Sequence, residues 1–169
     1  PFAASGTTIK ALGNGKVWTA TGGKGSNICD SDNYGKVWSK FACPIIQGGS
    51  GTGPFSMDFY DKNTGIVVGG DYTKDKEREN NALITVDGGK NWVKPTRSVQ
   101  GYRSGFAYID RDTCVAVGTS GVDVSYDGGK NWSSISNLSF NAVRKAKNGK
   151  RVFLAGSKGE IFELKFPRP

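Results

Sequence analysis

Three stretches of this chain place potentially reactive side chains at one fixed spacing. Thr85-Val86-Asp87-Gly88-Gly89-Lys90-Asn91-Trp92 recurs as Ser125-Tyr126-Asp127-Gly128-Gly129-Lys130-Asn131-Trp132. A worn copy is Ser31-Asp32-Asn33-Tyr34-Gly35-Lys36-Val37-Trp38. A hydroxyl, a carboxylate and a lysine within six residues invite a catalytic reading. The spacing argues instead for a turn. An Asp side chain accepts hydrogen bonds from backbone N–H groups one to three residues on, Gly takes a positive φ without steric cost, and Trp re-enters the sheet as an apolar anchor. Asp87 and Asp127 are therefore expected to hold turns together, and no catalytic residue is assigned.

The rest of the composition narrows the chemistry further. The chain has no histidine, which removes the commonest general base and metal ligand. Cys29, Cys43 and Cys114 are an odd number without CxxC spacing, so neither a metal site nor a disulfide framework is expected. If the first turn closes a hairpin, Cys29 falls opposite about Ser39 and not Cys43, and the thiols are expected free and mostly buried. No GxGxxG fingerprint is present, so no cofactor is expected. A net charge of +8 favours acidic partners. The lysines are scattered through turns and no nucleic-acid module is recognisable, so nucleic acid is not the expected partner. No apolar run is long enough to span a membrane. Asn131-Trp132-Ser133 and Asn137-Leu138-Ser139 fit the glycosylation sequon, a weak pattern in a chain rich in Asn and Ser. The opening Pro1-Phe2-Ala3-Ala4-Ser5 carries neither a starting Met nor a signal peptide, and reads as the start of a processed or truncated piece.

Self-similarity at a period of roughly forty residues predicts stacked supersecondary units. Each unit reads as strand, short turn, apolar strand ending in Gly, third strand, the Asp-type turn, and a Trp-led fourth strand. Alternating patterns broken by frequent turn signals, with no useful 3.6-residue period, predict an all-β domain over 1–169. The units span roughly 1–46, 47–98, 99–137 and 138–166. A charged loop, 71–81, lengthens the second and reads as solvated surface. The fourth unit lacks both the Asp-type turn and an outer strand.

The motif Ser/Thr-x-Asp-x-Gly-x-x-Trp, once per four-stranded unit, resembles the Asp-box (BNR-type) of β-propellers. The likeness covers essentially the whole chain. The segments Gly65–Gly70 and Gly101–Asp110 look most like bacterial propellers of the photosystem II assembly-factor type, whose relatives sometimes carry a loose oxidoreductase label; sialidases are a more distant resemblance. The structural box residues are then Ser31, Asn33, Gly35 and Trp38; Thr85, Asp87, Gly89 and Trp92; and Ser125, Asp127, Gly129 and Trp132. The resemblance implies about four four-stranded blades forming the C-terminal part of a six- to eight-bladed ring, completed by a missing N-terminal half or a second chain. A closed four-bladed ring is the lesser option. The box turns belong to the outer, lower rim, and ligands bind where the innermost strands begin. Aligning the units on their first turns places Thr7, Pro54, Arg103 and Asn141 at that mouth, with Tyr102, Ser104 and Phe140 beside them and Arg144 deeper in the channel. A cation and a phenol at a channel mouth hold a carboxylate or an acidic peptide through charge-assisted hydrogen bonds. The implied function is a non-catalytic interaction scaffold for a protein partner or acidic ligand, extracytoplasmic by family habit. The alternative is a sialidase-like glycoside hydrolase or glycan-binding propeller, with the missing site residues in an N-terminal half; such enzymes carry an Arg-Ile-Pro or Arg-Leu-Pro motif that this chain lacks.

Overall fold

The computed structural model describes residues 7–166; the opening Pro1-to-Ser5 stretch lies outside the described residues. The described chain forms fourteen strands and no helix, so no helix is long and apolar enough to cross a membrane. The strands make four antiparallel sheets in chain order. Sheet 1 holds β1 (Ile9–Ala11), β2 (Val17–Thr21), β3 (Asn27–Ser31) and β4 (Ser39–Ala42). Sheet 2 holds β5 (Thr52–Phe59), β6 (Gly65–Asp71) and β7 (Ala82–Thr85). Sheet 3 holds β8 (Gly105–Tyr108), β9 (Cys114–Gly118), β10 (Gly121–Ser125) and β11 (Ser133–Ser136). Sheet 4 holds β12 (Ala142–Lys145), β13 (Val152–Ala155) and β14 (Ile161–Leu164). The first strands β1, β5, β8 and β12 neighbour one another in that order and form the inner wall.

Burial explains why the strand patterns differ along the chain. The strands of the two middle sheets, β6, β7, β9 and β10, are buried on both faces and read as nearly unbroken apolar runs. In the end sheets only every second residue is buried: Trp18 and Ala20 in β2, and Val152 and Leu154 in β13. The expected alternation therefore survives only where a sheet has a neighbour on one side.

Three apolar layers sit between successive sheets. The first packs Trp18 and Ile28 against Phe59, Met57 and Trp92. Trp18 stacks on Phe59 with ring centroids 3.9 Å apart and planes 8° from parallel. The second packs Ile66, Val68 and Ile84 against Phe106, Tyr108 and Trp132. The third packs Val115, Val117, Val122 and Val124 against Val143, Val152 and Leu154. Each fully buried side chain of this size contributes about 1.5–3 kcal/mol.

Two glycines near the ends of the second strands, Gly69 in β6 and Gly118 in β9, have a steric duty. A Cβ on Gly69 would lie 1.9 Å from the Gly53 carbonyl oxygen, and one on Gly118 would lie 2.0 Å from that of Tyr102. The link to the next sheet crosses at these points, the Arg103 N–H donating to Gly69 O at 2.8 Å and the Phe140 N–H to Gly118 O at 3.1 Å.

Several elements depart from the sequence reading. The fourth strands are not led by their tryptophans: β4 starts after Trp38, and in sheet 2 a single bridge, Ile84 to Val93, replaces the strand. The Trp side chain is committed to the turn, so the backbone pairs only after it. Residues 102–104 lie outside β8, which begins at Gly105. Cys29 lies opposite Lys40, one residue from the expected partner, and the three thiols are free, Cys43 and Cys114 buried and Cys29 half-buried. Burial pushes both buried thiols up to about 12. The 71–81 loop is more than solvated surface: Asp75 accepts from the Tyr102 N–H at 2.8 Å and from Thr119 Oγ1 at 2.8 Å, tying the loop to sheet 3.

Candidate functional site: the inner wall and its mouth

The repeated turns are closed clasps. Thr85 Oγ1 donates to Asp87 Oδ1 at 2.9 Å and accepts the Gly89 N–H at 3.0 Å. Asp87 Oδ1 accepts the Lys90 and Asn91 N–H groups at 3.1 and 3.0 Å, and Oδ2 accepts the Asn91 side-chain amide at 2.7 Å. Ser125, Gly129, Asp127 and Asn131 repeat this at 2.8–3.0 Å. In the first copy Asn33 Oδ1 accepts from Ser31 Oγ and from the Val37 N–H, doing the work of the carboxylate. The bonds thus reach three and four residues on, the second of these one residue beyond the expected range, and the hydroxyl serves as a second acceptor. Bonding from the Asn91 N–H, opposed by desolvation and reinforced by the Asn91 amide, Thr85 hydroxyl and Lys90 N–H, draws the Asp87 carboxyl down to about 2. Asp127 is also lowered: partial burial opposes the shift and the Asn131 amide groups outweigh it. These carboxylates have their acceptor capacity engaged by their own turns. Trp92 and Trp132 are seated between sheets, with Trp92 Nε1 donating to Gly89 O at 2.9 Å.

At the mouth the structure corrects the placement of Arg103. Its side chain is wholly buried, not presented to solvent. Nε donates to Asp123 Oδ2 at 2.8 Å, and Nη2 lies 2.7 Å from the same oxygen. Nη1 donates to Tyr102 O at 2.8 Å and to Ser120 Oγ at 2.9 Å. Burial pulls the guanidinium below its ordinary value, and the Asp123 charge opposes that. The signal for this was available: Asp123 is a lone carboxylate inside an otherwise apolar strand, and a buried acid needs a cation. Tyr102 is buried too, its ring edge-on to Phe55 with centroids 4.8 Å apart, and desolvation pushes its phenol up to about 12. Ser104 Oγ donates to Asn141 O at 3.0 Å, joining sheets 3 and 4. Asn141 is exposed, and its N–H donates to Ala155 O at 2.8 Å. Tyr102 and Arg103 therefore knit sheets 2 and 3 together, and the set expected to act together does not converge.

The inner wall offers what the mouth does not. A cavity of about 250 Å³ is lined by Lys10 of β1, Asp58 of β5, Tyr108 of β8, and Arg144 and Lys145 of β12, so all four sheets contribute. Lys10 Nζ pairs with Asp58 Oδ1 at 2.5 Å. Arg144 Nη1 donates to Val143 O at 3.0 Å, and among the described residues neither Arg144 nor Lys145 has a recorded ion pair. Both are exposed. Tyr108 is nearly buried, its hydroxyl without a recorded hydrogen-bond partner, and desolvation raises its phenol far above the ordinary value. Lys10, Lys145 and Tyr108 were missed from sequence because their convergence depends on sheet order. Among the described residues no cluster of His, Cys, Asp or Glu could hold a metal ion.

No family model and no curated protein matches the chain. Solved structures do. A structure described as YCF48 bound to D1 peptide superposes with a TM-score of 0.61 at 16% identity, over 93% of this chain and 48% of that one. An ancestral GH74 enzyme gives 0.63 at 16% identity, over 93% of this chain and 22% of that one. The computationally designed Ika4 protein gives 0.66 at 12% identity, over 95% of this chain and 91% of that one. The chain spans about half the length of the YCF48 structure and under a quarter of the GH74 enzyme. At these identities the likeness establishes architecture: this chain has the fold of a partial β-propeller, whose blades are the four sheets.

Proposed function

We propose that this chain is part of an Asp-box propeller of the assembly-factor type, a non-catalytic scaffold that holds an acidic protein segment at its inner wall. The observation that carries the reading is the charge balance of the cavity: Lys10, Arg144 and Lys145 face one carboxylate, Asp58, which Lys10 already engages. Arg144 and Lys145 are thus placed to bind a carboxylate through charge-assisted hydrogen bonds. The likeness to a propeller described with a bound peptide supports the same reading. The remaining blades of a larger ring would extend this wall, and an extracytoplasmic location fits the family type.

The likeness to a GH74 enzyme favours one alternative, a glycan-processing propeller. Glycoside hydrolysis uses two carboxylates flanking the scissile bond, and the cavity lining offers one, held by a lysine. The scaffold reading is therefore the stronger.

The test is a fluorescent Asp/Glu-rich peptide with a free C-terminal carboxylate, titrated into the chain. Each charge-assisted bond is worth about 1.5–3 kcal/mol, so Arg144→Ala or Lys145→Ala should weaken binding roughly 10- to 100-fold and flatten its salt dependence. Unchanged affinity in the Arg144→Ala/Lys145→Ala double variant would refute the site.

A further inference from the structure

Strand register arranges the inner wall in levels. Lys10 pairs with Trp18, Asp58 with Ile66, Ala107 with Val115 and Arg144 with Phe153. Each of these partners follows by one residue Val17, Gly65, Cys114 or Val152, which pair with Ser31, Thr85, Ser125 and Leu164. The first three of those residues open the repeated turns, so the levels match across the sheets. Lys10, Asp58, Ala107 and Arg144 thus hold one position on four successive inner strands, and all four line the cavity. Their chain neighbours Met57, Phe59, Phe106 and Tyr108 are buried in the layers between sheets. Side chains alternate along a strand, so this level faces the cavity.

One carboxylate is already bound there. Asp58 Oδ1, from sheet 2, pairs with Lys10 Nζ of sheet 1 at 2.5 Å, and among the described residues Asp58 is the recorded partner of that ammonium. The pair forms between two described sheets and does not depend on what lies beyond the first or the fourth. Its side chains keep 31% and 22% of their exposure, and a partly exposed ion pair contributes little net stability, so its partners can exchange. The ammonium is a compact charge with three donors on a flexible stem, free to turn toward another acceptor. Asp58 Oδ1 also accepts the Phe59 N–H at 2.9 Å, a bond that holds the carboxylate in place once the lysine has turned away. Ala107 puts no charge between Asp58 and Arg144, whose Nη1 reaches only the Val143 carbonyl of its own strand.

We propose that Asp58 is a stand-in for a ligand carboxylate. An acidic group of the bound segment displaces it from Lys10, and a second acidic group of the same segment meets Arg144 and Lys145. The partner is therefore a segment with two or more acidic side chains, and Lys10 and Asp58 determine that specificity. This inference rests on the acidic-segment reading of the cavity.

Two capped peptides test it, one with a single Glu and one rich in Glu, titrated into the chain and into Lys10→Met, Asp58→Asn and the variant carrying both changes. Asn keeps the acceptor for the Phe59 N–H, and both side chains are partly exposed, so circular dichroism should be unchanged in all three. Lys10→Met should weaken the Glu-rich peptide about two- to fivefold and leave the single-Glu peptide unaffected. Asp58→Asn frees the lysine and should tighten the Glu-rich peptide by a similar factor. That gain should vanish when Lys10→Met is added. A gain that persists in the doubly substituted chain overturns the proposal, because it then comes from relief of repulsion and not from Lys10. Glu-rich binding that is indifferent to Lys10→Met overturns it as well. If Arg144→Ala/Lys145→Ala abolishes binding while neither Lys10 nor Asp58 matters, the cavity reading stands and the exchange is refuted; if that variant binds as wild type does, both fall.

Discussion

Replacing Arg103 separates a structural cation from a ligand-binding one. Arg103 and Asp123 are both fully removed from solvent, 2.7 Å apart, and Asp123 Oδ2 also accepts the Gln100 N–H at 2.8 Å. Arg103→Ala leaves that carboxylate buried beside one backbone N–H and no counter-charge. Removing one member of a buried pair costs about 3–5 kcal/mol. A domain of this kind has about 5–15 kcal/mol in total, so the single variant should lose roughly a fifth of its stability or more. Asp123→Ala should cost a similar amount, stranding a guanidinium. The double variant Arg103→Met/Asp123→Leu removes both charges and keeps the volume, and should return to within about 2 kcal/mol of wild type. Urea unfolding followed by tryptophan emission gives all four stabilities, and the cycle gives the coupling. Acidic-peptide affinity, measured in the folded double variant, should match wild type. If Arg103→Ala loses under about 1 kcal/mol yet abolishes peptide binding, the buried-clasp argument is wrong and Arg103 contacts ligand.

Further outcomes follow from the turns and layers. Asp87→Ala removes the acceptor for three backbone or amide donors and should destabilise by about 1–3 kcal/mol; Asp87→Asn, which recreates the Asn33 arrangement, should cost less in the same urea assay. The Asp87 carboxyl is held to about 2, below its unfolded value near 3.8, so its contribution is present above about pH 4 and is lost as pH falls toward 2. Acid unfolding of Asp87→Asn should lose the part of the pH dependence in that window. Trp132→Ala, in the second apolar layer, should cost about 3–5 kcal/mol, whereas Trp38→Ala, at a side chain 44% exposed, should cost markedly less; equal losses would contradict the packing assignment. Gly118→Ala would push a methyl to 2.0 Å from Tyr102 O, and thermal melting should show a clear loss of stability.

Local chemistry made much of this protein legible in its sequence. The turns could be read because their residues act within eight positions: a hydroxyl, a carboxylate and a positive-φ Gly meet the backbone of their own segment. They announced the repeat, the all-β class and the unfinished fourth sheet. What lay beyond local contact needed the tertiary structure. Arg103 reads as a free cation at a strand start until Asp123, twenty positions away, is seen to close on it within the β9–β10 hairpin region. Lys10, Asp58, Arg144 and Lys145 share a cavity because the four first strands stand side by side along its wall, and no spacing in the chain encodes that order. The same separation governs the tryptophans. Sequence gives Trp38, Trp92 and Trp132 one role at the end of one kind of turn, but whether each is buried depends on whether a sheet stands before it, a fact of neighbours and not of residues.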